Sequence, residues 1–324
     1  MSDRVVVALT FDANYLAPAS AVVRSCLVHT GGPSLQFEII HDESLSRHDR
    51  QRLQAMCAEA GAGINLHLMD ERRLRGLPAV GRFGSIVWWR LLLPEILEVV
   101  DRVLYLDCDT LVLAPLHPLW SEDLGTSPLA AVANVVEPRM REHVARLGVR
   151  YPGGFFNAGV LLLHLDRMRD ERSTDELIDY ALSHHEALPW NDQDALNVIF
   201  NGRWHSLHPR WNAQNNLWSW RDWAIDVFGP ELVDEAVSAP AIRHFEGPSV
   251  AKPWHYLCPV PHRDDYLQVL AQTPWAGAPL EDRTASTMAI RLLPRRWRLD
   301  AYGRFLTVKT RLGRIRSPAT SDRE

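Results

Sequence analysis

Asp107 and Asp109, separated by Cys108 in the stretch VLYLDCDTLVL (103–113), are the residues whose type and spacing point most directly to chemistry. In an extended segment, side chains two apart share a face, so these carboxylates can converge on one point. Like charge gathered at the end of an apolar strand is costly unless a divalent cation, with the phosphates it carries, neutralises it. The competing reading is a pair of strand-end aspartates that cap the next turn in water. Context from the rest of the chain has to decide between them.

Polar groups stand at other element ends as well. Asp12, Asn14 and Tyr15 close the first strand; they can cap the following helix, or read a base edge with Tyr15 as a stacking face. Asn157, Ala158 and Gly159 lie between Phe156 and an apolar run, which reads as a turn and also admits the close approach of a ligand. Asp192, Gln193 and Asp194 open a helix, where acidic residues suit the dipole and could equally serve a site. His244 and Lys252 flank Gly247 and Pro248 and could supply a metal ligand and a phosphate clamp.

The elements that must position these groups alternate. Strands are expected at Val5–Leu9, Leu35–Ile40, Ile64–Met69, Val103–Leu106, Ala130–Val135 and Val160–Leu165. Helices are expected at Tyr15–Val28, Arg47–Ala60, Ile86–Leu97 interrupted by Pro94, Thr174–His184 and Gln193–Phe200. A loop with Gly76, Gly81 and Gly84 precedes the third of these helices. Such alternation predicts an α/β fold with a mostly parallel sheet, which binds ligands beyond the carboxyl ends of its strands. Asp12 and Asp107 both stand at such ends.

Composition narrows the class. The chain has 324 residues, 46% of them hydrophobic, enough for one large α/β domain or two ordinary ones. A net charge of −5 argues against a nucleic-acid binder. Residues 283–324 carry 11 Lys and Arg against 3 Asp and Glu, leaving 24 against 37 for residues 1–282. The basic tail is thus a separate electrostatic object. Cys26, Cys57, Cys108 and Cys258 form no CxxC pair, so a reducing cytosol is the simplest location. No apolar run approaches the roughly 20 residues of a spanning helix, and a soluble or peripheral protein is expected.

Taken in order, FDANY, WWRLLLPEIL, YLDCDTLVL, FFNAGVLLLHL, NDQDALN, RWN and HFEGPSVAKPW resemble the retaining glycosyltransferases of family 8. That group includes bacterial lipopolysaccharide galactosyl- and glucosyltransferases and, more distantly, glycogenin. The resemblance implies a GT-A fold, a Rossmann-like nucleotide-binding sheet fused to an acceptor-binding half, acting on a UDP-sugar with Mn²⁺, or Mg²⁺ as the alternative. It implies that Asp12, Asn14 and Tyr15 hold the uridine, and that Asp107, Asp109 and His244 bind the metal. It further implies that Lys252 clamps the diphosphate beside Gly247, and that Arg90, Asn157, Ala158, Asp192 and Gln193 surround the donor sugar. Asn134 replaces the aspartate many members carry near the donor or acceptor. The Gly247-to-Lys252 loop is two residues longer than the common HxxGxxKPW spacing, and both departures leave the sugar open.

The expected division is a catalytic domain at 1–280, comprising a nucleotide-sugar half (1–113) and an acceptor half (114–280), with a basic tail at 281–324. The expected reaction is transfer of a hexose, from UDP-galactose or UDP-glucose, to a saccharide or glycolipid. Asp192, Gln193 and Lys252 are the candidate catalytic residues. A haloacid-dehalogenase-type phosphatase shares a strand-end DxD, but here Leu111 takes the fifth position and the motif falls past residue 100. A sugar nucleotidyltransferase would need a Gly-rich phosphate loop after the first strand, and none is present. A carbohydrate-binding protein that has lost catalysis is the non-enzymatic alternative. The Trp-rich segment from Trp204 to Trp223 could stack on acceptor sugars or simply pack. Residues 291–316 mix basic, aromatic and aliphatic side chains as a segment resting on an anionic membrane would.

Overall fold

The computed structural model describes residues 4–80 and 84–316. Gly81 and the expected tail beyond residue 316 lie outside the described residues, as do the side chains of Lys309, Leu312, Ile315 and Arg316. Nine strands are described: β1 (Val5–Phe11), β2 (Leu35–His41), β3 (Gly63–Leu68), β4 (Arg102–Leu106), β5 (Thr110–Val112), β6 (Leu129–Ala133), β7 (Phe156–His164), β8 (Trp204–Ser206) and β9 (Ile242–His244). Seven form one sheet in the order β3-β2-β1-β4-β7-β6-β8, and β5 pairs with β9 in a second. The β1–β2, β2–β3, β1–β4 and β6–β8 pairs are parallel, while β7 runs antiparallel to both neighbours. The sheet is therefore mostly parallel, as the alternation of strands and helices predicts.

Strands covered on both faces read as unbroken apolar runs, which is why their positions were legible. Val5, Val7, Leu9 and Phe11 face one core layer with Leu104 and Leu106. Ala8 faces the other with Val103 and Tyr105, packed under Trp88 and Trp89. The alternation sends Tyr105 and the WWRLLL segment to the same side, so Arg90 arrives over the end of β4.

Three expectations need correction. The segment from Ile86 is three short helical pieces, Ile86–Trp89, Arg90–Leu92 and Leu93–Ile96. Pro94 lies in the first turn of the last piece, where its missing N–H costs nothing. Asn157 is not in a turn: β7 already begins at Phe156, and a register shift between Ala131 and Val132 of β6 accommodates the polar residues within the pairing. Asp107 and Asp109 converge, but from a tight turn between β4 and β5. The Asp107 carbonyl accepts from Thr110 N–H at 3.1 Å and from Thr110 Oγ1 at 2.8 Å.

The basic tail forms the helix Arg295–Arg316 despite Gly303 and Gly313. Trp297 and Leu306 are exposed, as are Leu292 and Leu299. Tyr302 instead turns inward: its hydroxyl donates to Asp282 Oδ2 at 2.7 Å and lies 3.2 Å from His255 Nε2. Of the Trp-rich segment, Trp211 is core and Trp204 packs on Phe156, which fits the packing reading for those two. No described helix is long and apolar enough to cross a membrane.

Candidate active site

The carboxyl ends of β1 and β4 are adjacent because those strands pair in parallel, with Val7 opposite Leu104 and Ala8 opposite Tyr105. Beyond them opens a cavity of about 290 Å³. Tyr15, Arg90, Asp107, Asp109, Asn157, Ala158, Asp192, Gln193, His244, Gly247 and Lys252 all line it. Side chains spread over 238 positions of sequence are thus brought to one place.

Asp107, Asp109 and His244 each turn one ligand-type atom inward, and these atoms lie within 4.8 Å of one another. His244 reaches them because β9 pairs antiparallel with β5, setting His244 opposite Thr110 just after the turn. Its Nε2 is 3.2 Å from Asp109 Oδ1 and 3.9 Å from Asp107 Oδ2. Two carboxylate oxygens and an imidazole nitrogen, with space opening into the cavity, fit a divalent cation that also takes phosphate oxygens. The nitrogen donor suits Mn²⁺ better than Mg²⁺, which prefers oxygen ligands.

Charge here is balanced by protein groups as well. Lys252 Nζ contacts Asp109 Oδ2 and donates to the Phe245 carbonyl at 2.9 Å. Burial alone would raise the Asp109 carboxyl, but Lys252 and His244 outweigh it and hold the group well below the usual carboxylate range. Burial works against the His244 cation too, yet Asp109 lifts the imidazole above its ordinary value.

Arg90 ties the two ends of the cavity together. It pairs with Asp107 at 2.9 Å and with Asp192 at 2.7 Å, and donates to the Ala158 carbonyl at 2.6 Å. Burial opposes its charge, but the two carboxylates raise its pKa. Asp192, at the start of the helix Asp192–Ile199, shows the reverse balance: burial pushes its carboxyl up to about 7, Arg90 pulls it down, and Asp107 adds repulsion. Gln193 Oε1 accepts from Ala158 N–H at 3.0 Å, fixing the adjoining wall.

Asp12, Asn14 and Asn134 do not line the cavity itself. Asp12 Oδ1 accepts from the N–H groups of Asn14 and Tyr15, the capping arrangement foreseen as one of its readings, and Asn14 Nδ2 donates to Asp12 Oδ2 at 2.8 Å. This sets the turn that presents Tyr15, whose ring meets Trp254 edge-on at 6.2 Å between centroids. Asn134 is buried behind Asn157, its Oδ1 3.4 Å from Asn157 Nδ2.

Sequence reasoning missed Tyr105, whose hydroxyl donates to Asp107 Oδ1 at 2.8 Å and whose ring lies under the Arg90 guanidinium. Its place two residues before Asp107 was the available signal. Arg243 was also missed. Fully buried between Trp218 and Phe245, it donates to the carbonyls of Ala213 and His244 and to Asn215 Oδ1.

The model of glycosyl transferase family 8 matches residues 6–258. The general stress protein A of Bacillus subtilis is 28% identical over 238 residues, covering 72% of this chain and 82% of that protein. The lipopolysaccharide 1,3-galactosyltransferase of Salmonella typhimurium is 25% identical over 287 residues, covering 86% and 81%. Among solved structures, galactosyltransferase LgtC in complex with donor and acceptor sugar analogues superposes with a TM-score of 0.73 at 24% identity. It covers 90% of this chain and 99% of its own.

Proposed function

Because this chain belongs to glycosyl transferase family 8, we propose that it is a retaining hexosyltransferase that takes a hexose from a UDP-sugar, with UDP-galactose or UDP-glucose favoured, and passes it to a saccharide or glycolipid. The observation that carries the reading is the convergence of Asp107, Asp109, His244, Lys252 and Arg90 on one cavity beyond β1 and β4.

In this reading Asp107, Asp109 and His244 hold Mn²⁺, which when bound acts as a Lewis acid on the diphosphate. Tyr15 stacks on the uracil, with Asp12 and Asn14 at the base and ribose. Lys252 exchanges its contact with Asp109 for the β-phosphate and stabilises the charge that develops there. The bond between the anomeric carbon and the β-phosphate oxygen breaks with its electron pair going to that oxygen. The acceptor hydroxyl oxygen then bonds to the same carbon and gives its proton to the departing phosphate. Asp192 and Gln193 stabilise the positive sugar ring, while Asn157, Ala158, Asn134 and Gly247 shape the donor pocket. A front-face route is favoured, since the nearby Asp192 carboxylate is engaged by Arg90 and does not stand free as a nucleophile.

The reading divides the chain into a nucleotide-sugar half at 1–113, an acceptor half at 114–280 and a basic extension at 281–324. Exposed Leu292, Trp297, Leu299 and Leu306 beside basic residues support peripheral contact with an anionic membrane, on its cytoplasmic face. The test is incubation with a panel of UDP-sugars, with and without Mn²⁺ and without acceptor. Metal-dependent release of UDP from one donor supports the proposal, and release of inorganic phosphate or no reaction with any donor counts against it.

A further inference from the structure

We infer that Asn212, with Asn157 and Gly159, is a positioning device that holds His244 in the one tautomer able to bind a metal through Nε2. The inference rests on the proposed metal role of His244. The four side chains or residues lie in a buried row: Asn157 is 5% exposed, Asn212 0% and His244 3%.

The row begins at a group whose polarity admits no choice. The backbone N–H of Gly159 can only donate, and it meets Asn157 Oδ1 at 3.0 Å. The atom facing it is therefore the amide oxygen. The same oxygen is 2.9 Å from Asn212, so Asn212 must present its NH₂ group there. That leaves Asn212 Oδ1 facing His244 Nδ1 at 2.9 Å. An acceptor at that distance requires the proton on Nδ1, which leaves the Nε2 lone pair for the cluster formed with Asp107 and Asp109. A backbone amide on β7 thus sets the protonation pattern of an imidazole on β9, through two side-chain amides.

Gly159 contributes twice more. A Cβ at position 159 would lie 2.2 Å from His244 Cε1, so the missing side chain is the seat of the imidazole ring. Its carbonyl accepts the backbone N–H of Asp107 at 2.9 Å, which fixes one metal-site carboxylate to the strand that fixes the imidazole. Neither feature is explained by contact with a donor sugar.

The experiment is a Mn²⁺ titration followed by electron paramagnetic resonance, with UDP present, paired with competition by Mg²⁺. Wild type, Asn212→Leu, His244→Ala and the double variant are compared. Asn212→Leu is expected to weaken Mn²⁺ about 10-fold or more while changing Mg²⁺ far less, because the lost preference is that of the nitrogen ligand. The double variant is expected to match His244→Ala alone, since the two residues act through one ligand. Asn212→Asp, which keeps an oxygen at Nδ1, should retain Mn²⁺ within about threefold of wild type, in contrast to the loss on removing that oxygen. Should leucine prevent folding, Asn212→Ala removes the same oxygen without bulk. Unchanged Mn²⁺ affinity and selectivity in Asn212→Leu or Asn212→Ala, additive losses in the double variant, or an Asn212→Asp protein as weak as Asn212→Leu overturns the relay. A wild-type protein that binds no Mn²⁺ with UDP overturns instead the metal reading on which it rests.

Discussion

At the β4–β5 turn, Asp109 sits between Lys252 and His244 and is held well below the usual carboxylate range, whereas across the same cavity burial pushes Asp192 up to about 7. Both side chains are largely removed from water, and both have a cation within reach. The difference lies in how that cation is shared. Asp109 has Lys252 to itself and the His244 imidazole as a second partner, while Asp192 has only Arg90, which it shares with Asp107. One end of the cavity is built to keep charge, and the other to let charge come and go near neutral pH.

The largest expected effect belongs to the charge-keeping end. Asp109→Ala should lower kcat/KM by about 10³-fold or more, the scale of losing a main electrostatic element of an active site. The fold should survive at reduced stability, because the residue contributes little packing but its loss leaves buried Lys252 without its carboxylate partner. Steady-state kinetics with a circular dichroism spectrum checks both, and near-normal turnover would erase the distinction between the two ends.

Asp192→Asn comes next, with an expected fall in kcat of about 10²-fold. Wild-type kcat should drop as pH falls below about 7 because Asp192 must be ionised to stabilise a positive ring, and the asparagine variant should lose that dependence. The stability signs oppose one another. For Asp192 the folded pKa is raised, so its favourable neutral form contributes fully below about pH 4 and that contribution is lost as pH rises through about 7. For Asp109 the folded pKa is lowered, so its contribution is present above about pH 4 and is lost on acidification. Asp192→Asn should therefore melt higher than wild type at pH 8 and by a clearly smaller margin at pH 5. Equal melting differences at both values would contradict the assignment.

Smaller effects are expected at the rim. Tyr15→Ala and Asp12→Ala should raise the donor KM by about tenfold, the scale of one base–aromatic stack, with less change in kcat. The uridine they would contact hardly alters between ground and transition states. A collapse in kcat at constant KM would move these residues from binding to chemistry.

The smallest catalytic effect is expected from the tail. Truncation after Leu306 keeps Tyr302 and its contacts with Asp282 and His255. It should leave UDP-sugar hydrolysis intact and weaken sedimentation with anionic vesicles at low salt, each lost basic residue contributing roughly 1 kcal/mol. Undiminished vesicle binding would separate the membrane contact from residues 307–324.

Sequence periodicity made the strands around the site legible, since β1 and β4 are buried on both faces and show nearly unbroken apolar runs, while β2 keeps Leu35, Phe37, Ile39 and Ile40 in the core despite Gln36 and Glu38. It could not reveal that β7 starts at Phe156, because a polar asparagine inside a strand looks like a turn until the register shift opposite it is known. The convergence of Asp107 and Asp109 was foreseen through an extended segment, and a turn achieves it instead. Asn212 stood in the noticed RWN stretch without a role, because its partners Asn157 and His244 are 55 and 32 residues away and only the fold joins them. Tyr302 carried the composition of a surface anchor, yet its hydroxyl contacts with Asp282 and His255 turn it toward the protein.

The most direct measurement of the central claim is UDP release from the preferred UDP-sugar by the full-length protein, first in excess chelator and then after Mn²⁺ is restored. The expected result is loss of release in chelator, recovery with Mn²⁺, and no recovery in Asp109→Ala. Full turnover in chelator would contradict the assignment of Asp107, Asp109 and His244 as the metal site.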